Sequence, residues 1–522
     1  MTTIPTVFEN LNLPNWLTAQ TLTGMLRGIE KEGLRMTPQG SIAASPHPSK
    51  LGSKLTHPFI TTDYAESLLE LITEPKSSAK QALQMLRDLH VVVQQSLENG
   101  ELFWPLSMPC MLSDDDESIA LADYGTSNAG RLKTLYRHGL GIRYGRRMQT
   151  IAGLHYNLSF GDNLFIAWQQ ANKDTRSLTD FKNEKYLGLI RNFKRLNSLV
   201  LYLLGASPAV CACFLSGRHH HLQKMNDNTY YLPKATSLRM GKLGYQNSVQ
   251  DDLDIRYNSL EEYVTGLQQA IYTPHQSFTK LGVDDENGRP IQINDHILQI
   301  ENEYYSPIRP KQITKAEENP SDALKNRGIA YIEFRAIDLD PYSDIGISLT
   351  TACFMEILAL YCLFSQSPEL LPAEETWLAQ NQETIVNRGR EKDIYIHTAT
   401  GEQALSTWLV YHIEQMQPFA KLLDEVYGSN DYLTALGLML GRAKNPDFTL
   451  SAQVLADTQR LGGAWQFGKA LAQQHATQLR HEILSEEQQQ RYDQLAQASI
   501  AEQQRIEEQD SQSFYDYVQR YR

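Results

Sequence analysis

From Leu154 to Phe160 apolar and polar residues alternate. Leu154, Tyr156, Leu158 and Phe160 fall on one side, and His155, Asn157 and Ser159 on the other. A period of two predicts a strand with one buried face. Ile329–Ile337 repeats the pattern, setting Ile332 and Phe334 against Tyr331, Glu333 and Arg335. Gly28–Met36 is a third such run and places Glu30 and Glu32 on one face. The spacing changes at Ala79–Asn99, where Leu83, Leu86, Leu89 and Val93 line one side of a predicted helix. Thr61–Ile72 fits both periods. As a helix it aligns Asp63, Glu66 and Glu70; as a strand it puts Glu70 on the face of Leu68 and Ile72. Beyond about residue 345 the pattern is mostly helical. It ends in a Gln/Glu-rich amphipathic helix that opens with the capping-box spacing Ser485–Gln488. Strands early and helices late predict an α+β fold with a helical lobe.

Two apolar stretches, Leu196–Gly217 and Ile345–Phe364, are long enough to raise the question of a membrane span. The first is interrupted by Asn197, Ser198, Gly205, Ser207 and Pro208, and the second carries Glu356 near its middle. A spanning helix needs about 20 predominantly apolar residues. Both are expected to be buried helices, the first broken at Gly205–Pro208. Met1–Gln20 has neither a basic residue nor a long apolar core, so no secretory signal is expected.

Composition narrows the class. The 522 residues carry 48 basic and 61 acidic side chains, a net charge of −13, which disfavours nucleic acid as the main partner. Five cysteines in so long a chain argue against a disulfide scaffold and for a reducing compartment. The length allows three domains or one large enzyme of fused lobes. No repeat or low-complexity linker divides it.

Several apparent motifs fail on chemistry. Gly463–Ala470 resembles a phosphate loop but lacks the hydroxyl that would hold Mg²⁺ and follows no strand; a helix entry at a glycine pair is the expected alternative. Gly139-Leu-Gly141 has the wrong spacing for a dinucleotide fingerprint. His219, His220 and His221 are adjacent, cannot all converge on one ion, and are expected in a surface loop. The cysteines lack paired C-x-x-C spacing; Cys211 and Cys213 read as core.

What remains is acids in strand-like, apolar surroundings: Glu30 and Glu32, then Asp63, Glu66 and Glu70, then Glu333. A half-buried carboxylate is costly without a cation or hydrogen bonds. Several that converge would raise one another's pKa values, and Mg²⁺ or Mn²⁺ relieves both problems through oxygen ligands. His155 could add a nitrogen. Taken singly, each acid could instead pair with an arginine or lie at a solvated edge. Arg131–Arg147 is the opposite case, with six basic residues and no acid. The run suits phosphate or carboxylate groups, and Arg239 and Arg335 are further candidates, whereas Arg131 and Lys133 are expected in a solvated basic loop.

Taken together, these segments resemble glutamate–cysteine ligase (γ-glutamylcysteine synthetase) of the proteobacterial type, in the glutamine synthetase-like superfamily. The resemblance rests on Gly28–Arg35, Thr61–Glu70, Trp104–Pro109, Tyr124–Asn128, Arg147–Asn157 and Gly205–Pro208. It continues in Tyr231–Arg239, Gln299–Pro310 and Tyr331–Arg335. The blocks span about residues 24 to 450.

The resemblance implies a curved, mainly antiparallel sheet that forms a funnel-shaped active site surrounded by helices, with Glu70 on a strand. It implies a single catalytic unit over 1–522, with a sheet-rich core at about 20–345 and a helical lobe and tail at about 346–522. The implied reaction is ATP-dependent joining of the γ-carboxylate of L-glutamate to the amine of L-cysteine through a γ-glutamyl phosphate. It matches Glu30, Glu32, Asp63, Glu70, His155 and Glu333 to metal positions, for Mg²⁺ with Mn²⁺ as the alternative. Arg335, with Glu333, matches the catalytic positions at the transferring phosphate. Tyr136, Gln149, Arg239, Tyr245 and Tyr305 match the cysteine pocket, Leu140 and Ile151 its apolar wall, and Arg137 anionic substrate groups. It further implies a cytoplasmic monomer without nucleic-acid or membrane partners, inhibited by glutathione. Another amine acceptor, or a metal–nucleotide sensor without turnover, are the competing expectations. A bifunctional glutathione synthase is not expected, since the chain leaves no room for a second ATP-using domain.

Overall fold

The computed structural model describes residues 8, 13–244, 249–250, 253–315 and 318–522. The alternating runs form one open antiparallel sheet. Its strands are β1 (Leu26–Met36), β2 (Ile60–Thr62), β3 (Leu68–Ile72), β4 (Leu102–Phe103) and β5 (Leu154–Ser159). A small separate sheet holds β6 (Ala209–Cys211), β7 (Gln223–Asn226) and β8 (Thr229–Tyr231), and the main sheet resumes with β9 (Ile308–Lys311) and β10 (Tyr331–Ile337). The order across the main sheet is β2-β3-β1-β5-β10-β9, with β4 paired to the end of β1. Thr61–Ile72 is therefore a strand pair rather than a helix, with Asp63 just beyond β2.

Register gives the sheet two unlike faces. Glu30 lies opposite His155, Glu32 opposite Glu70, and Glu333 between Asn157 and Arg309. A period of two then commits Ile29, Leu69, Leu71, Tyr156, Ile332 and Phe334 to the other face, where all are buried. Each such side chain contributes about 1.5–3 kcal/mol when fully buried. Helices cover this apolar side. The Leu178–Leu204 helix brings Phe193 to 4.9 Å between ring centroids from Phe334. The Leu349–Phe364 helix supplies Glu356, which is 0% exposed. Glu356 accepts Arg27 Nε at 2.9 Å and NH2 at 2.7 Å, Tyr156 Oη at 2.6 Å and Tyr432 Oη at 2.8 Å. Both apolar stretches are thus core. The first is the end of a helix that starts eighteen residues earlier, at Leu178, and leaves the helix at Gly205 for β6. Among the described residues no helix is long and apolar enough to cross a membrane.

Helix α1 (Ala79–Ser96) is capped by Ser78, whose side chain accepts Gln81 N–H. It stops three residues short of the expected end because the chain turns through Asn99 and Gly100, both at positive φ. Arg131 and Lys133 lie on helix α2 (Asn128–Tyr144), not in a loop, and Arg131 stacks 4.0 Å over Phe514. The helical half also holds one hairpin, β11 (Tyr395–Thr398) and β12 (Gly401–Ala404). The Ser485–Gln488 capping box is formed. Gly462 ends one helix and Gly463 begins the next, so the apparent phosphate loop is a helix-to-helix turn. His219–His221 form an exposed loop, while Cys211 is buried and Cys213 half-buried.

Candidate active site

The polar face of the sheet forms the floor of a cavity of about 340 Å³, walled by α2 and by the segment around Gln299–Tyr305. Glu30, Glu32, Asp63, Glu70, Tyr136, Arg137, Leu140, Gln149, His155, Arg239, Tyr305, Glu333 and Arg335 all line it. Ile151 is packed in the hydrophobic core just after the Met148–Thr150 turn. Tyr245 lies outside the described residues. Glu66 is turned away, paired with Lys54.

Glu30, His155 and Glu333 place one ligand atom each within 4.8 Å of one another. His155 Nδ1 is 3.1 Å from Glu30 Oε2 and 3.6 Å from Glu333 Oε1. Asn157 Nδ2 donates to Glu30 Oε1 at 2.8 Å, and Gly153 N–H donates to Glu32 Oε2 at 2.6 Å. Glu333 is 1% exposed, and its Oε2 has no hydrogen-bond donor among the described residues although Arg335 NH1 lies 3.2 Å away. Such an orphaned buried oxygen, among five converging carboxylates and an imidazole, is a hard-cation donor set.

The electrostatics of the cavity without a cation are uneven. Burial, followed by the neighbouring Asp63, pushes Glu32 up to about 8. Burial and the charge of Glu30 hold Glu70 well above the usual carboxylate range. Burial also works against ionisation of Glu333, but Lys311, Arg335, His155 and Arg309 outweigh it and hold the carboxyl well below that range. Glu30 is likewise buried and yet lowered, through its hydrogen bond to His155. The shifts split by position: beside the basic end they run down, as for Glu333 and Glu30, and among other acids they run up, as for Glu32 and Glu70.

That basic end was legible in the sequence only in part. Arg309 and Lys311, on β9, join Arg335 around Glu333, with Lys311 Nζ 3.6 Å from Glu333 Oε1. Pro310 between them argues against a strand, and it is tolerated because β9 is an edge of the sheet. Glu303, also missed, pairs with Arg143 at 3.3 Å and accepts Tyr144 Oη at 2.7 Å.

Helix α2 presents Tyr136, Arg137 and Leu140 to the cavity. Ser127 caps its start and Gly145, at φ +84°, ends it. Gly139 and Gly141 flank Leu140 for packing reasons: a Cβ would meet Gln299 Oε1 at 2.1 Å from the first and Tyr64 Oη at 2.5 Å from the second. On the far wall Arg239 Nε donates to Asp338 Oδ1 at 2.7 Å, and its NH2 to Ile337 O at 2.7 Å. Burial raises the Tyr136 and Tyr305 hydroxyls, so both are neutral hydrogen-bonding groups. One cavity thus has an acidic floor, a basic end beside Glu333, and a wall of tyrosines, Gln149 and an arginine.

A family profile described as glutamate-cysteine ligase matches residues 12–385. A glutamate–cysteine ligase of Alcanivorax borkumensis is 44% identical over 508 residues, 96% of each chain. One from Shewanella oneidensis is 44% identical over 506 residues, 96% of this chain and 95% of that one. The crystal structure of a glutamate–cysteine ligase from Francisella tularensis in complex with AMP superimposes with a TM-score of 0.89 at 34% identity, covering 96% and 97% of the two chains. A bifunctional glutathione synthetase from Pasteurella multocida superimposes with a TM-score of 0.70 at 26% identity, over 92% of this chain and 56% of that one.

Proposed function

The chain belongs to the glutamate–cysteine ligase family, and from that premise we propose how its residues divide the reaction. The enzyme joins the γ-carboxylate of L-glutamate to the amine of L-cysteine, converting ATP to ADP and phosphate. A carboxylate is a poor electrophile. Transfer of the γ-phosphoryl group gives an acyl phosphate, which the amine attacks with loss of phosphate.

In this reading Glu30, Glu32, Asp63, Glu70, His155 and Glu333 hold Mg²⁺, which screens the phosphates and the glutamate from one another when bound. The orphaned Glu333 Oε2 is the observation that carries it. Arg335, with Arg309 and Lys311, faces the transferring phosphoryl group. Three cations there offset the charge of the equatorial oxygens, and the buried setting strengthens each interaction. Arg239 takes the cysteine carboxylate, Tyr136, Tyr305 and Gln149 hydrogen-bond the acceptor, and Leu140 lies against its side chain. This leaves the amine directed at the acyl phosphate. Arg137 faces anionic substrate groups at the mouth.

The main hydrophobic core among the described residues runs from Leu17 to Tyr492, which supports one catalytic unit. The reading includes a cytoplasmic monomer. Glutathione contains the γ-glutamylcysteine product and so competes for both amino-acid pockets. Native mass and inhibition kinetics against glutamate test these points.

The central test is ADP release with ATP, Mg²⁺ and L-glutamate, with and without L-cysteine, in wild type and Glu333→Gln, with product identified by mass. The expected result is cysteine-dependent γ-glutamylcysteine formation in the wild type and its loss in a folded variant. Full activity of Glu333→Gln would sink the metal assignment. Turnover with 2-aminobutyrate but not cysteine would overturn the acceptor pocket.

A further inference from the structure

Gly205–Pro208 is a sequence block with no residue in the cavity, yet it converges on Asp338, which holds the cavity residue Arg239. Fully buried Asp338, directly after β10, receives four donors. Oδ2 accepts Ala206 N–H at 2.8 Å and Ser207 Oγ at 2.7 Å. Oδ1 accepts Ser237 Oγ at 2.9 Å and Arg239 Nε at 2.7 Å. The segments carrying these donors are locked to each other as well. Ser207 N–H donates to Thr236 O at 3.2 Å and Leu238 N–H to Ser207 O at 2.8 Å.

Arg239 is 1% exposed and enters the cavity wall from this knot. Its guanidinium is planar, so fixing the Nε and NH2 sides fixes the plane and the direction of the remaining edge. Asp338 fixes the first side and Ile337 O the second, both from the end of β10. The strand that places Glu333 and Arg335 thereby also sets the aim of Arg239. The distance between the acceptor carboxylate and the acyl phosphate is then tied to a single strand.

We propose that Asp338, held by Ala206, Ser207 and Ser237, is a positioning residue that orients Arg239 toward the carboxylate of the acceptor amino acid. The proposal rests on the reading of Arg239 given above. An aspartate meets four donors with acceptors only; an asparagine turns an N–H₂ group toward at least one of them and removes the charge opposing the guanidinium.

The test is steady-state kinetics of Asp338→Asn, Arg239→Gln and the double variant, each varied separately in cysteine, glutamate and ATP. Losing a charged hydrogen bond that aims the arginine is expected to raise the cysteine KM about tenfold or more in Asp338→Asn. The KM for ATP and for glutamate is expected to stay at the wild-type value, which a general loosening of the fold would not allow. The double variant is expected to be no worse for cysteine than Arg239→Gln alone. If Arg239→Gln raises the cysteine KM while Asp338→Asn leaves it unchanged, the positioning role is wrong. If Arg239→Gln also leaves it unchanged, the reading of Arg239 has failed and the proposal falls with it. Should Asp338→Asn not fold, Ser207→Ala and Ser237→Ala replace it: a smaller, cysteine-specific rise in KM supports the role, and unchanged values in both overturn it.

Discussion

Identical side chains in this molecule behave differently because their neighbours differ. The cations around Glu333 hold its carboxyl below the usual range, whereas burial and other acids push those of Glu32 and Glu70 above it. Far from the cavity, His412 shows the same dependence. It is 4% exposed, ringed by Phe8, Trp408 and Tyr411, with Nδ1 3.0 Å from Tyr361 Oη, and burial brings its pKa down to about 3. In the unfolded chain an imidazole protonates near pH ~6.5. Between these two values the unfolded state binds more protons, so stability falls as pH falls, by up to ~1.4 kcal/mol per pH unit for this group. His412→Gln is expected to make the acid limb shallower, read from urea midpoints at successive pH values. Alternation alone put Glu30, Glu32 and Glu333 on strand faces, because a carboxylate is conspicuous in an apolar run. It could not say that the three faces were the same one, since that depends on register between strands far apart in sequence. Arg309 and Lys311 escaped because the strand that carries them is short and contains proline.

At the scale of elements, β1 does most of the organising. One face carries Glu30 and Glu32 to the cavity, and the other carries Arg27 to Glu356 on the Leu349–Phe364 helix, where Tyr427 Oη also accepts Arg27 NH2 at 2.6 Å. Breaking a buried pair leaves an uncompensated charge, so Arg27→Met alone is expected to destabilise by ~3–5 kcal/mol. Arg27→Met combined with Glu356→Leu is expected to recover most of that loss. Thermal and chemical unfolding of the two variants measure the difference. This pairing is invisible in sequence, where Arg27 and Glu356 are 329 residues apart and Glu356 only interrupts an apolar helix. Thr61–Ile72 was ambiguous for a related reason. Its periodicity fits helix and strand alike, and pairing of β3 with β1 decides it. The long periodic helices needed no such help, and the capping box at Ser485 was readable outright.

The molecule as a whole closes one wall of its cavity from behind with residues near Val518. Val518 is fully buried against Leu135 and Ile293, in a small cluster that takes in Tyr136 and Ile300, two residues of the cavity wall. Asp510 accepts Asn128 Nδ2 at 2.9 Å, and Arg522 NH2 donates to Asp284 Oδ1 at 2.6 Å. A chain ending after Asp510 is expected to stay folded, because the main core does not include this cluster, but to bind cysteine more weakly. A raised cysteine KM with unchanged KM for ATP would show it; unchanged kinetics would reduce the tail to a peripheral helix. Composition gave no hint of this contact, because Val518 sits on a short helix, Phe514–Val518, beyond the Gln- and Glu-rich one.

The same arrangement has a consequence for how the protein is made. Asn128 and Asp510 are 382 residues apart in the chain, so the helix that forms the wall leaves the ribosome long before the segment that braces it. At about 5–20 residues per second that interval is roughly 20 to 80 seconds. Throughout it Leu135 has no Val518 to cover it, and Ile293 joins it uncovered once made. Each newly synthesised molecule therefore carries this apolar patch uncovered until its last dozen residues emerge.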